Sequence, residues 1–341
     1  MDSGLFLQDR GMGIIELVPM PLKSRQEEKI RKKKVLVIAG PTAIGKTAVS
    51  LRIAEMLGGE IISADSMQVY RGMDIGTAKV PLEDRQRIPH YLIDIRDISQ
   101  PFNVANFCTE AQQALKNIVL KEAVPIVTGG TGFYMRALIN GPPSGPPSVP
   151  DIRRKLEKEL ADLGPIALYE RLKSLDPDYA IRITSADRHK IVRGLEIISI
   201  TGLKVTEFTP SSPEQVAAYD FRCWFLYMPL SDLYARIETR CERMLEKGLL
   251  DEVKELEKRG LRGNSSAAQA IGYRQCLEYL DSPQTEQDWQ ECIHKFKKAS
   301  RHYARRQFTW YRKEPLFRWL NIKEMGEEAV AEMIAQDFEL N

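Results

Sequence analysis

Residues Val35 to Leu57 constrain this chain more than any other stretch. Val35-Leu36-Val37-Ile38-Ala39 is a short, continuous, β-branched apolar run bounded by Gly40-Pro41. Such runs form strands buried on both faces, as in parallel sheets. Gly40-Pro41-Thr42-Ala43-Ile44-Gly45-Lys46-Thr47 follows and fits the pattern G-x-x-x-x-G-K-[ST]. From Thr47 to Leu57, Val49, Leu51, Ile53, Ala54 and Leu57 recur at helical spacing, and Gly58-Gly59 stops them. A strand, a glycine-rich turn and a helix in that order aim successive backbone N–H groups and a helix N-terminus at a polyphosphate. Lys46 then adds a point charge on the outer phosphates, and Thr47 offers a hydroxyl to Mg²⁺.

The β and α signals keep alternating. Glu60–Ala64, Tyr91–Ile95 and Val124–Thr128 read as strands, with a helix over Asn106–Leu120. This predicts an α/β fold, a parallel sheet with helices on both faces. Gly141 to Pro150 is a proline- and glycine-rich linker, and Asp151 to Gly202 is helical and charged with no strand signal. The expected organisation is an N-terminal extension over 1–34, a core over 35–140 and about 205–325, and a helical insertion domain over about 141–204. The run Arg25 to Lys34 reads as a solvated tail or short helix, or alternatively as a segment that brushes a polyanion. Phe221–Met228 reads as a late strand. Ser231 is the expected N-cap of a helical region to about Arg259, broken at Gly248. Gly260–Asn264 is a loop, and a last helix over about Thr285–Tyr311 precedes the tail.

Composition excludes several classes. Lys+Arg 49 against Asp+Glu 47 in 341 residues gives a net charge of +2, which rules out a uniformly basic coat but not a local basic patch. Five dispersed cysteines without a Cys-x-x-Cys pair suggest neither a disulfide framework nor a zinc module, so idle thiols in a reducing cytoplasm are expected. No apolar run reaches the roughly 18 residues of a membrane helix. Asp2, Asp9 and Glu16 make the N-terminus unlike a secretory signal.

In an open α/β sheet, ligands sit at the carboxyl ends of the strands. Asp65, Asp94 and Thr131 follow or end three of the predicted strands. Asp65 is either a general base or the cap of a turn. Thr131 either hydrogen-bonds a phosphate or caps the helix starting near Phe133. Asp94 either joins Thr47 on Mg²⁺ through water or merely ends its strand. From His294 to Arg318, Lys295, Lys297, Lys298, Arg301, Arg305, Arg306, Arg312, Lys313 and Arg318 face the single acid Glu314, with Phe296, Tyr303, Phe308, Trp310 and Tyr311 interleaved. Cations and aromatics so mixed suit RNA, or equally an amphipathic helix with aromatics in the core.

Several stretches together resemble one family, the tRNA dimethylallyltransferases or tRNA isopentenyltransferases. They are Gly40–Thr47, Ser63 to Lys79, Val127–Tyr134, Asp187–Glu196, Ala270-Ile271-Gly272-Tyr273-Arg274 and Tyr303–Trp310, and the likeness spans about residues 35–320. The resemblance implies a P-loop NTPase-like fold, and the protein is expected to act as a monomer. It also implies transfer of a dimethylallyl group from dimethylallyl diphosphate to the N6 amine of the adenosine 3′ to the tRNA anticodon. Gly40, Pro41, Thr42, Ala43, Ile44, Gly45, Lys46 and Thr47 would hold the diphosphate with Mg²⁺. Asp65 matches the family's general base, Thr131 its reacting-centre threonine, and Arg240 its diphosphate arginine. Anticodon-loop contacts fall on Asp65, Ser66, Met67, Gln68, Arg153, His189, Lys190, Arg193, Gln269, Ala270, Ile271, Gly272, Tyr273 and Arg274. Val80, Tyr91, His189, Lys190, Gly194 and Ser300 depart from the usual family residues. A small-molecule P-loop kinase, an adenylate isopentenyltransferase and a non-enzymatic RNA-binding switch remain open alternatives.

Overall fold

The computed structural model describes residues 32–143, 145–208 and 218–340. The chain divides into the units Met1–Lys32 and Lys33–Asn341, and the following concerns the second. Most of the expected N-terminal extension, including residues 25–31 of its charged run, lies outside the described residues.

β1 (Lys33–Ala39) starts two residues before the expected strand, taking Lys33 and Lys34 out of the predicted tail. Lys34 Nζ donates to the Phe338 carbonyl at 2.9 Å. Val35 to Ala39 are fully buried, as a strand covered on both faces requires. α1 (Lys46–Leu57) ends on Gly58 in the left-handed conformation (φ 59°), whose N–H closes onto Ala54 O. β2 (Gly59–Ala64), α2 (Leu82–Arg87) and β3 (His90–Tyr91) follow. The predicted strand over 91–95 is cut short at Tyr91. Leu92 (φ 63°) and Asp94 (φ 57°) turn left-handed, and Asp94 N and Arg96 N bond to Gln68 O and Val69 O instead of extending the ladder.

α3 (Val104–Leu120) begins at an Asn103–Asn106 capping box. It leads to β4 (Val124–Gly129) and α4 (Gly132–Asn140). α5 (Pro150–Leu175, kinked at Gly164), α6 (Pro177–Ala180) and α7 (Arg188–Thr201) make the strand-free stretch predicted after the linker. Leu156, Leu168, Leu172, Ile191 and Leu195 form a small hydrophobic cluster there, apart from the main core.

β5 (Tyr219–Tyr227) returns to the sheet. α8 (Leu230–Glu246) and α9 (Leu249–Lys258) then divide at left-handed Gly248 (φ 94°). The expected cap at Ser231 is displaced to Pro229: the helix starts two residues earlier because Leu233 N bonds to Pro229 O, which puts Ser231 inside the first turn. The predicted loop over Gly260–Asn264 contains a 3₁₀ turn over Leu261–Gly263. α10 (Tyr273–Leu280) and α11 (Glu286–Tyr311) follow, α11 capped by Thr285 and Asp288. The expected tail is structured, as β6 (Phe317–Asn321) and α12 (Ile322–Leu340). Val330, Ala331, Ile334, Ala335 and Phe338 give α12 a buried stripe at helical spacing, a signal present in the sequence.

All strand pairs are parallel, in the order β3-β2-β4-β1-β5-β6. α1 packs beside α12 and α3 beside α4, while α1 and α3 both lie against β2 and β4, so helices cover the two faces. All five cysteines are buried and free, and burial pushes the thiols of Cys108 and Cys223 up to about 11 and about 12. Among the described residues no helix is long and apolar enough to cross a membrane.

Candidate active site

The carboxyl ends of β1, β2 and β4 open on one cleft containing two joined cavities. The smaller, about 200 Å³, is walled by Thr42 to Thr47 together with Ser63, Thr128 and Gly130. The larger, about 310 Å³, reaches from Asp65 to Met244 and Phe296. Thr42, Asp65, Thr77, Arg240 and Tyr303 line both and mark the junction.

At the phosphate loop, Gly45 has φ 100°, and the Glu327 carboxylate occupies the place where a Cβ would stand. The left-handed backbone is what favours glycine here, since the Glu327 side chain is half-exposed and can swing away. Lys46 Nζ donates to Gly40 O (3.0 Å) and Pro41 O (2.7 Å). Burial and the neighbouring Arg240 push its ammonium down to about 7, against the opposing pull of Asp65. Burial also lowers Arg240. Neither cation makes an ion pair among the described residues. Two desolvated cations held together beside the single Asp65 carboxylate, with no ion pair of their own among the described residues, make a site for a multiply charged anion.

Asp65 Oδ1 accepts from Met67 N (2.8 Å) and Gln68 N (3.3 Å). It therefore caps a turn, yet among the described residues Oδ2 accepts no hydrogen bond, and the residue faces both cavities. Thr131 stands at the cap position of α4 without capping it. Its Oγ1 accepts from Ser66 N at 3.3 Å, and the Tyr303 hydroxyl interacts with it. This ties Thr131 to the turn that carries Asp65, although it is not itself a lining residue. Arg240, on α8, reads as a surface cation in sequence, but it lines both cavities.

Asp94 is not among the residues that line the smaller cavity with Thr47. Its oxygens accept from Lys79 Nζ (2.5 Å) and Arg85 Nη1 (2.7 Å). Burial opposes ionisation, but these two bonds prevail and hold its carboxyl below the usual range. Its charge is balanced locally instead of being presented to the cradle. Of the expected RNA contacts, Ser66, Met67, Gln269, Ala270, Ile271 and Tyr273 line the larger cavity, and Gln68 lines the smaller. Gly272 stands at the cap position of α10 with φ 92°, and Arg274 is exposed and pairs with Glu278.

Comparison with known proteins identifies the architecture. The family model described as IPP transferase matches residues 68–314. A tRNA dimethylallyltransferase from Protochlamydia amoebophila is 56% identical over 309 residues, covering 91% of this chain and 90% of the relative. The chain belongs to the IPP transferase family. A second relative, the tRNA dimethylallyltransferase of Chlamydia pneumoniae, is 47% identical over 311 residues, 91% of each chain. The crystal structure of a tRNA isopentenylpyrophosphate transferase from Bacillus halodurans matches with TM-score 0.65 at 38% identity, covering 91% of this chain and 98% of that one. A eukaryotic dimethylallyltransferase captured acting on tRNA matches with TM-score 0.73 at 30% identity, covering 91% and 80%.

Other expected contacts are held within the chain. Arg193 Nη1 pairs with Glu196 at 2.7 Å and its Nη2 donates to Pro146 O at 2.5 Å, while Arg153 pairs with Glu157 (2.9 Å) and Glu196 (3.7 Å). His189 and Lys190 are exposed, and Lys190 lies 3.5 Å from Asp187. The basic block divides: Phe296, Phe308 and Tyr311 are core, Lys297 and Arg301 pair with Glu242 and Glu238, and Arg306 lines the larger cavity. Sequence reasoning missed Glu252, which looks like an ordinary acid in the first turn of α9. Its carboxylate accepts from Asp74 N (3.0 Å), Ile75 N (2.6 Å), Gly76 N (3.2 Å) and Tyr273 Oη (2.6 Å). It thereby fixes the Gly76–Tyr273 wall of the larger cavity. No local signal marks it, because its partners lie far away in the chain.

Proposed function

We propose that this protein transfers a dimethylallyl group from dimethylallyl diphosphate to the N6 amine of an adenosine beside the tRNA anticodon, releasing diphosphate. The observation that carries this reading is the junction: an anion site with two unpaired cations opens directly, past Asp65, into a larger and partly apolar cavity. A phosphate site alone would suit a kinase. A diphosphate at one end, a flat base at the other and a carboxylate between them suit allyl transfer.

Lys46, the loop amides and Arg240 receive the charge that builds on the diphosphate as its carbon–oxygen bond breaks. The adenine amine is a weak nucleophile because its lone pair is delocalised into the ring. Asp65 accepts its proton as the new nitrogen–carbon bond forms. Thr131, steadied by Ser66 N, orients the reacting centre. Among the described residues no trio of His, Cys, Asp or Glu gathers as a metal cage. Thr47 is exposed, and its hydroxyl is a hard oxygen donor that fits Mg²⁺, an ion that takes its remaining ligands from phosphate and water. Mg²⁺ bound there would neutralise part of the developing charge. The target base must leave its stack to enter the cavity. In this reading residues 141–204 form a separate helical domain near the RNA, and the protein acts in the cytoplasm as a monomer.

The test incubates the protein with Mg²⁺, labelled dimethylallyl diphosphate and either unmodified tRNA or adenosine monophosphate. Label in the tRNA alone is expected. Label in the free nucleotide, or phosphorylation of a small molecule by ATP without label in RNA, would overturn the reading.

A further inference from the structure

Gln307 lies on α11 with 4% exposure, one of few buried polar side chains among the described residues. Its Oε1 accepts from Thr42 N at 3.0 Å, and its Nε2 donates to Gly130 O at 3.0 Å. Only this amide orientation satisfies both partners; the flipped one would set N–H against N–H and oxygen against oxygen. Thr42 lies in the phosphate loop after β1, and Gly130 immediately precedes Thr131 after β4. A Cβ on Gly130 would collide with Gln307 Nε2, so the glycine is what admits the amide.

We infer that Gln307 is a positioning residue that sets the gap between the diphosphate cradle and the reacting-centre threonine. β1 and β4 are neighbours in the sheet, but their registered pairing ends at Ala39 and Gly129, just before the two loops diverge. Gln307 spans that divergence and, being on α11, ties both loops to the helix that carries the basic face. Allyl transfer requires the breaking carbon–oxygen bond and the incoming nitrogen to be aligned, and displacement of the reacting groups by about 1 Å costs on the order of 100-fold in rate. Gln307 lines the smaller cavity, but both polar ends of its amide are spent on Thr42 N and Gly130 O, which leaves them for the loops and not for the diphosphate. Its removal therefore lowers turnover more than it weakens binding.

This inference rests on the proposed prenyl transfer, and the wild-type protein serves as the control that separates the two. If wild type does not label tRNA, the functional reading fails. If wild type is active, Gln307→Met, similar in shape but without either hydrogen bond, is expected to lower kcat by about 10- to 100-fold. Both KM values should stay within about threefold. A folded Gln307→Met variant with kcat within about threefold of wild type would overturn the inference, as would a loss that only tracks the folded fraction. Gln307→Glu gives a second reading if the methionine variant does not fold. A carboxylate can accept from Thr42 N but cannot donate to Gly130 O, whereas the protonated acid can do both. The ratio of its kcat to that of wild type should rise as pH falls, by up to about tenfold per unit. A ratio that does not change with pH would count against the brace.

Discussion

The two ends of the cleft are built in contrasting ways. At the phosphate end a single contiguous octapeptide supplies the backbone cradle and Lys46, and Arg240, Tyr303 and Gln307 join it from far along the chain. At the base end Met67, Gly76, Met244, Tyr273 and Phe296 come from separate segments, and the wall is held by Glu252. Their cations differ too. Lys46 and Arg240 are desolvated and unpaired among the described residues, whereas Arg193, Arg153, Lys297 and Arg301 lie on carboxylates of their own chain. What neutralises a cation, more than its presence in the sequence, indicates whether it waits for a ligand or holds the fold.

Asp65 stands where the ends meet, so its substitution should have the largest effect. Asp65→Asn is expected to lower single-turnover rates by about 10²- to 10⁴-fold while tRNA affinity stays near wild type. An equal loss of affinity would move Asp65 from the chemistry to the base end of the cleft. Arg240→Ala should come next, with kcat/KM for dimethylallyl diphosphate down by about 10²- to 10³-fold. Because that guanidinium is desolvated beside Lys46, its removal should raise the Tm of the ligand-free protein. A lower Tm would show that Arg240 is a structural cation like Arg193.

The pH dependence tests the same end. Lys46 is held down to about 7, and a bound diphosphate favours its ammonium and lifts that value. Above about 7 binding must take up a proton. Affinity for inorganic diphosphate should then fall by up to about tenfold per pH unit relative to Lys46→Met. Below about 7 the ammonium is already formed, and the difference between the two proteins should be flat. Calorimetry in buffers of different ionisation enthalpy would count the proton, and no uptake at pH 8 would refute the desolvated-pair account.

The same contrast explains what can be read from the sequence. The phosphate end is local, so its strand, glycine turn and helix are legible from Val35 to Leu57. Asp65 and Thr131 are legible as residues that follow strands, though not the way Ser66 N joins them. Arg240, Glu252 and Gln307 are not legible from spacing, because burial and long-range partners make them what they are. β3 is shorter than its apolar run suggests, since such a run cannot reveal that Leu92 and Asp94 turn left-handed to bracket Gln68. α12 is the reverse case: its periodic stripe is in the sequence, but the acids and the weak apolar density around it read as a tail until the stripe is seen against α1 and β5.

The smallest effect should separate two arginines that the sequence treats alike. Arg306 lines the larger cavity and stacks over Tyr303 at 5.5 Å, with no carboxylate partner among the described residues. Arg193 is engaged by buried Glu196 and by Pro146 O. If Arg306 meets a phosphate, each such contact contributes a released counterion, and Arg306→Ala should reduce the slope of log Kd against log salt by about 1. Arg193→Lys should leave that slope unchanged, because its charge is already balanced by Glu196 within the chain, and should instead lower Tm slightly through the lost second hydrogen bond. Filter binding of tRNA across a salt series distinguishes the two. Equal slopes for Arg306→Ala and wild type would mean that the cavity mouth recognises the base without the backbone, and a reduced slope for Arg193→Lys would mean that the Glu196 pair opens to receive RNA.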